Sequence, residues 1–239
     1  MSQSVVVSGG RRPIGFAHRG GALTRREQNT IPAFRRAVEM GAGVESDVLL
    51  TADGVPVLLH APLGLHRGRP IRRLHRAQLP SSVPTLNELY TERGTGFPLA
   101  LDMTDPGAAA AVVDVARRHG ALDNLWMTYW RLDRMARWRE RWPSVHLVYA
   151  SMVVRSPDRF MARLAAAGVD AVNVHHRTVS RRLVASAEAH SRLVFAWGVR
   201  GRASVGSVLA RGAHGVFADD VEALVAALQS AHAVVPSRP

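Results

Sequence analysis

Val169-Asp170-Ala171-Val172-Asn173-Val174, then the segment Ser180–Ala189, then Leu193-Val194-Phe195-Ala196-Trp197-Gly198-Val199, read as a strand, a helix and a second strand: a short run rich in β-branched residues, a longer stretch of helical period, and another short run. The same rhythm extends outward in both directions. It predicts strands at Ile14–His18, Gly43–Leu49, Phe97–Met103, Asn124–Thr128, Val145–Ala150, Val169–Val174, Leu193–Val199 and Ala213–Phe217. Helices are predicted at Thr30–Met40, Thr85–Thr91, Pro106–His119, Leu132–Arg141, Pro157–Ala167, Ser180–Ala189, Ala203–Arg211 and Val221–Ala231. Thr85, Asp105, Ser156 and Ser180 stand where N-caps belong, and Gly41, Gly120, Gly168 and Gly212 where helices should stop. Repeated βα units with short connections close most economically as a single-domain α/β fold, the (β/α)8 TIM barrel. Its catalytic face collects the C-terminal ends of the strands.

Composition agrees with one core and narrows the chemistry. The chain has 239 residues, 47% of them hydrophobic, which suffices for one substantial interior. A doubly wound sheet also fits this length, so the count of units decides. Cysteine is absent, which excludes a disulfide framework, a thiolate zinc site, an iron–sulfur cluster and a cysteine nucleophile. The formal charge of +12 comes from 31 basic side chains against 19 acidic, and all the basic ones are arginine. Guanidinium groups favour phosphates and anionic surfaces, but a solvated face is the simpler reading. The first residues place Arg11-Arg12 after a very short apolar run, unlike a secretory signal, so a cytoplasmic location is expected. No run approaches the roughly 18 apolar residues of a membrane span. Residues 1–12 read as a disordered extension, 13–232 as the barrel and 233–239 as a frayed tail. The longest interruption, Ala61–Val83 after a short strand Val55–His60, is Arg-, His- and Pro-rich and reads as a surface excursion.

The polar residues gather at strand ends. His18-Arg19-Gly20-Gly21 closes the first strand, and Glu45 and Asp47, two apart, share one face of the second, where paired carboxylates suit a hard divalent cation. His60 closes the short strand, and Asp102 in the next barrel strand can complete a three-carboxylate set. Two imidazoles, three carboxylates and an arginine are the parts needed to cleave a phosphoester: metal and Arg19 absorb charge while the imidazoles move protons. Thr128, Tyr129 and Asp219 also fall at strand ends. His175-His176 follows the sixth strand, but neighbours on a strand point opposite ways, so the pair is not expected to share an ion. Trp126, Trp130, Trp138 and Trp142, interleaved with arginines, read as helix packing with a solvated outer face.

His18-Arg19-Gly20, Gln28-Asn29-Thr30 before Ala33-Phe34, Glu45-Ser46-Asp47-Val48, Thr51-Ala52-Asp53-Gly54-Val55-Pro56-Val57 and His60 resemble the N-terminal signature of the glycerophosphodiester phosphodiesterase family. The resemblance extends to Val83-Pro84-Thr85-Leu86, to Ala196-Trp197-Gly198-Val199 and to Gly212-Ala213-His214-Gly215-Val216-Phe217-Ala218-Asp219; from about Asp105 to His190 the match is mainly one of rhythm. It implies a TIM barrel that hydrolyses glycerophosphodiesters to glycerol 3-phosphate and an alcohol. By the same resemblance His18 and His60 are the catalytic pair, Arg19 the phosphate clamp, Glu45, Asp47 and Asp102 ligands of Mg²⁺ or Ca²⁺, and Trp197 a wall of the alcohol pocket. Either imidazole can serve as base.

Four positions depart from the family pattern. Gln28 stands where the family has a carboxylate unless Glu27 swings in, Ala61 replaces a polar neighbour of His60, Asp102 replaces Glu, and Thr104 replaces a lysine. The excursion carries Arg67, Arg69, Arg72, Arg73 and Arg76, expected as a basic surface loop. The departures define one alternative, a degenerate barrel that binds a phosphorylated ligand or partner protein without cleaving it. The joint presence of His18, Arg19, Glu45, Asp47 and His60 argues for turnover. A second alternative is a phospholipase D-like lyase that releases a cyclic phosphate. A small-molecule phosphodiester is therefore the expected partner; no nucleic acid and no integral membrane association are expected, and the sequence carries no signal of oligomeric state.

Overall fold

The computed structural model describes residues 12–61 and 64–233. In chain order the elements are β1 (Ile14–Ala17), α1 (Ile31–Glu39), β2 (Gly43–Leu50), β3 (Pro56–Leu58), β4 (Leu65–His66), β5 (Arg69–Pro70), α2 (Leu86–Arg93), β6 (Leu99–Asp102), α3 (Ala109–Arg118), β7 (Leu125–Tyr129) and α4 (Leu132–Arg141). There follow β8 (His146–Ser151), α5 (Pro157–Ala166), β9 (Ala171–His175), α6 (Arg181–Ala189), β10 (Leu193–Val199), α7 (Gly201–Ala210), β11 (Gly215–Ala218) and α8 (Val221–Ala233). β1, β2 and β6 to β11 pair in parallel, and β1 bonds both β11 and β2, which closes the ring as a (β/α)8 barrel. Except for Arg12 and for Ala233, the last residue of α8, the predicted extension 1–12 and tail 233–239 lie outside the described residues.

Local sequence explains where the elements stop. The Thr85 hydroxyl accepts the amide of Glu88, whose carboxylate accepts the amide of Thr85, so α2 starts on a closed capping box. Ser180 likewise accepts the amide of Leu183 at the head of α6. Asp105 caps a 3₁₀ turn, Pro106–Ala108, and α3 begins only at Ala109. Ser156 occupies the predicted N-cap of α5 but makes no capping bond, because its own backbone is left-handed (φ 48°). β1 ends one residue early, since His18–Gly20 wind into a tight turn.

The strand pleat sorts the barrel interior into two layers. Phe16, Ala100, Trp126, Val148, Ala171, Phe195 and Phe217 form a dry lower plug, with Phe16 and Phe217 stacked at 4.6 Å. Two residues further along the same strands come His18, Asp102, Thr128, Ala150, Asn173 and Trp197, and these line an upper cleft. The plug excludes water from below, so the cleft opens only at the C-terminal mouth.

β2 outruns its neighbours. Its first half pairs with β6, and its last three residues turn to pair antiparallel with β3. The following segment packs Ala61, Ile71, Leu74, Leu79 and Val83 against Leu49 and Val57, a satellite core of its own. The Arg76 guanidinium donates to the carbonyls of Leu79, Pro80 and Val83, so this arginine holds the excursion together. Arg67, Arg69, Arg72 and Arg73 are exposed, as expected of a basic surface loop.

Phe195 touches Phe16, Trp126 and Phe217 in the plug. Phe195→Ala is expected to cost about 3–5 kcal/mol, read as a lower urea midpoint at unchanged slope.

Candidate active site

The predicted site residues converge on one side of the mouth. β2 turns Glu45 and Asp47 into the barrel, and Asp102 stands directly beside Asp47 across the β2–β6 ladder. Ligand oxygens of the three carboxylates lie within 4.8 Å of one another. Burial raises the Glu45 carboxyl to about 7; the charge of His18 pulls it down, and those of Asp47 and Asp102 push it further up. Burial and the charge of Asp47 raise Asp102 to about 6. Three hard oxygen donors at that spacing, with Glu45 and Asp102 resisting ionisation through burial and neighbouring charge, fit a divalent cation.

His18 and His60 flank this cluster from opposite ends. The His18 Nδ1 lies 2.6 Å from the Asp219 carboxylate, and its Nε2 lies 3.9 Å from Glu45. Burial pulls the His18 pKa down, but the hydrogen bond to Asp219 and the charge of Glu45 outweigh it, and the net shift is upward. The same hydrogen bond holds Asp219 below its ordinary range. An ionised carboxylate only accepts, so Nδ1 carries the proton and Nε2 faces the cleft. The His60 Nδ1 lies 3.0 Å from Asp47 and is oriented in the same sense.

Arg19 reaches the cluster through a strained turn. Its backbone is left-handed (φ 51°), which aims its amide at Glu45 (2.9 Å) and brings its Nε to 3.6 Å from Asp47. The loop is pinned from behind: the Asn29 amide donates to the Arg19 carbonyl, and the Ser46 hydroxyl donates to the buried Asn29 side chain. Gln28 accepts from the Arg19 guanidinium at 3.2 Å. Glu27 does not swing in; it accepts from the Leu23 amide and faces Arg36. Of the other departures, Ala61 is absorbed by the satellite core, and Thr104 is exposed beyond the end of β6.

The cleft, about 340 Å³, is lined by His18, Glu45 and Asp102 on its polar side and by Trp130, Met152, Trp197 and Phe217 on its apolar side. Trp197 stands edge-on to His175 at 4.8 Å. The β10–β11 register slips between Ala196 and Val199. Gly198 sits in that irregularity at φ +74°, where a Cβ would meet the His175 ring at 3.0 Å, so the bulge needs glycine to aim Trp197 into the cleft. The rings of His175 and His176 are 4.4 Å apart. The expectation that they point opposite ways fails because the chain leaves the strand at His176 and begins a 3₁₀ turn.

One residue gains a role that sequence did not assign. Asp219 fixes the His18 tautomer; its strand-end position was the only signal. Asn173 is buried in the cleft wall, with a side-chain oxygen that has no hydrogen-bond partner among the described residues. Tyr129 turns outward and packs on Trp130 and Trp138.

A carboxylate nest flanked by two oriented imidazoles and an arginine, at the C-terminal mouth of a barrel, defines a barrel hydrolase built for phosphoryl groups. The chain belongs to the Glycerophosphoryl diester phosphodiesterase family, which it matches over residues 18–223. It is 25% identical over 231 residues to the glycerophosphodiester phosphodiesterase of Bacillus altitudinis, covering 85% of this chain and 93% of that one. It is also 40% identical over 95 residues to the probable glycerophosphodiester phosphodiesterase 2 of Mycobacterium tuberculosis, 35% of each chain. Among solved structures it shares its fold with a phosphodiesterase of Oleispira antarctica in complex with the product sn-glycerol-3-phosphate (TM-score 0.76, 22% identity, 92% of this chain and 96% of that one).

Two outcomes test this electrostatic picture. Asp219→Asn removes the anion that lifts His18, so the His18 imidazole is expected to titrate at lower pH when followed by NMR; an unchanged midpoint would contradict the pairing. In the metal-free protein Glu45 keeps its proton up to about 7 against an ordinary 4.5. The folded state therefore binds more protons than the unfolded between those values, and stability falls as pH rises through that window. Glu45→Gln is expected to raise the neutral-pH thermal midpoint of the chelated protein by several degrees, on the order of 1–3 kcal/mol. A divalent cation added to the parent protein is expected to raise that midpoint, and the same substitution should shrink the rise.

Proposed function

We propose that this protein is a metal-dependent phosphodiesterase that hydrolyses a glycerophosphodiester to glycerol 3-phosphate and a free alcohol. The observation that carries the reading is the matched orientation of the two imidazoles: each is tethered through Nδ1 to a carboxylate, which leaves both Nε2 atoms for substrate at two edges of one carboxylate cluster. Glu45, Asp47 and Asp102 would hold Mg²⁺ or Ca²⁺; when bound, the cation supplies charge neutralisation at the phosphate oxygens.

One imidazole accepts the proton of the attacking oxygen as the new P–O bond forms. The other donates its proton to the alcohol oxygen as the old P–O bond breaks. The Arg19 guanidinium, held by Gln28 and Asp47, offers its remaining donors to the phosphate. Asp219 keeps the cleft-facing nitrogen of His18 available in every cycle. The departure at Ala61 is compatible with this chemistry, because its methyl group is taken up by packing rather than left facing the site.

Chelator-treated protein supplied with glycerophosphocholine, glycerophosphoethanolamine or a lysophospholipid, with Mg²⁺, Ca²⁺ or Mn²⁺ added back, is expected to turn over in a metal-dependent way. His18→Ala and His60→Ala are each expected to lower kcat by about 10²–10⁴-fold. Absence of turnover with every metal would give the site to the binding-only barrel, and a cyclic phosphate in the phosphorus NMR spectrum would give it to the lyase.

A further inference from the structure

Among the described residues, the large apolar side chains left exposed are Leu23, Leu65, Trp130, Met152 and Val153. All of them lie on connections that leave the C-terminal ends of barrel strands: Leu23 after β1, Leu65 between β3 and α2, Trp130 after β7, Met152 and Val153 after β8. None lies on the outer faces of the helices or at the opposite end of the barrel. In the ring of strands β1 stands four places from β8, so Leu23 is across the mouth from Met152 and Val153. Side chains set so far apart cannot cover one another, and a narrow peptide could not touch both sides. A broad, flat apolar phase could.

The charge on the same connections selects which phase. Arg25, Arg26, Arg67, Arg72, Arg155 and Arg177 are exposed there and form no ion pair with any described carboxylate. Apolar tips ringed by unpaired guanidinium groups match the boundary between acyl chains and anionic headgroups. Among the described residues no helix is long and apolar enough to cross a membrane, so their contact would be made by loop tips. Trp138 and Trp142, by contrast, are buried as expected of helix packing, and Trp126 is buried in the barrel plug instead; Trp130, 54% exposed, is the tryptophan that packing does not explain.

We propose that the C-terminal mouth of this barrel docks on an anionic lipid surface, with Leu23, Trp130, Met152 and Val153 entering the headgroup layer. The proposal goes beyond the reaction and does not rest on it, because docking is read without turnover. It has one consequence for the cleft: Trp130 and Met152 both rim the cavity and stand in the contact, so a docked barrel opens directly onto the lipid.

The test is co-sedimentation of the full chain with phosphatidylcholine vesicles and with vesicles that also contain phosphatidylglycerol. Binding to the anionic vesicles is expected, falling as salt is raised, with weak binding to the neutral ones. The double variant Leu23→Ser/Val153→Ser, whose positions line no part of the cleft, is expected to bind at least about tenfold more weakly. Its thermal midpoint and its turnover of soluble glycerophosphocholine should be unchanged; if that substrate proves inert, the midpoint alone serves as the folding control. Arg155→Gln should weaken binding to the anionic vesicles only. The proposal falls if the parent protein binds neither vesicle, or if the serine variant binds as well as the parent. It falls also if sedimentation velocity shows a dimer that the serine variant dissolves, which would give this face to a second copy of the chain.

Discussion

Three carboxylates packed within 4.8 Å of one another at the top of a dry plug repel, and the rest of the site is arranged around that repulsion. Water cannot screen it from below, because Phe16, Phe195 and Phe217 fill the barrel there. The protein answers with cationic and hydrogen-bonding groups brought in from neighbouring loops: the Arg19 amide on Glu45, the Arg19 guanidinium near Asp47, His18 beside Glu45, His60 on Asp47. Each of these partners is also a group to which the proposed chemistry gives a part. The stability that the carboxylates forfeit is what a cation seated among them would restore.

The first βα loop illustrates how such a site is held. Arg19 and Asn29 both adopt left-handed backbone, uncommon for arginine and easier for asparagine, and both are fixed by hydrogen bonds to β2 or to each other. Strain is retained where the surrounding contacts over-determine the conformation. The Gln28-Asn29-Thr30 motif therefore works through geometry as much as through chemistry. Asn29 touches no ligand position, yet it sets the turn on which Arg19 depends.

Much of this was legible in the sequence, for identifiable reasons. The barrel followed from repeated strand-and-helix rhythm with glycine stops, and Gly41, Gly120, Gly168 and Gly212 all adopt positive φ just after their helices. Two-residue periodicity was enough to place Glu45 and Asp47 on one face, and strand-end position was enough to bring His18 and Asp102 to the same mouth. What escaped depended on contacts that no local pattern encodes. Asp219 meets His18 across 201 residues of chain, where β11 closes on β1. Whether Gln28 or Glu27 faces Arg19 is settled by contacts within the folded loop, where Glu27 is taken up by the Leu23 amide and Arg36. The fate of His175 and His176 hung on one residue, the point at which the strand ends. Buried and exposed tryptophans, too, look alike until the helices are docked.

The segment between β3 and α2 bears on how such barrels diverge. Its apolar residues pack on the overhanging end of β2 rather than on the main interior, and Arg76 stitches it to itself. A piece of chain that carries its own small core, and is tied to its host by a short β-ladder and a few polar contacts such as Leu74 to Ala52 and Arg76 to Asp53 and Glu88, can be lengthened, shortened or exchanged with little disturbance to the barrel beneath. His60 stands at its root. The segment is therefore a cassette, through which a lineage could retune what approaches one imidazole while the carboxylate nest stays as it is.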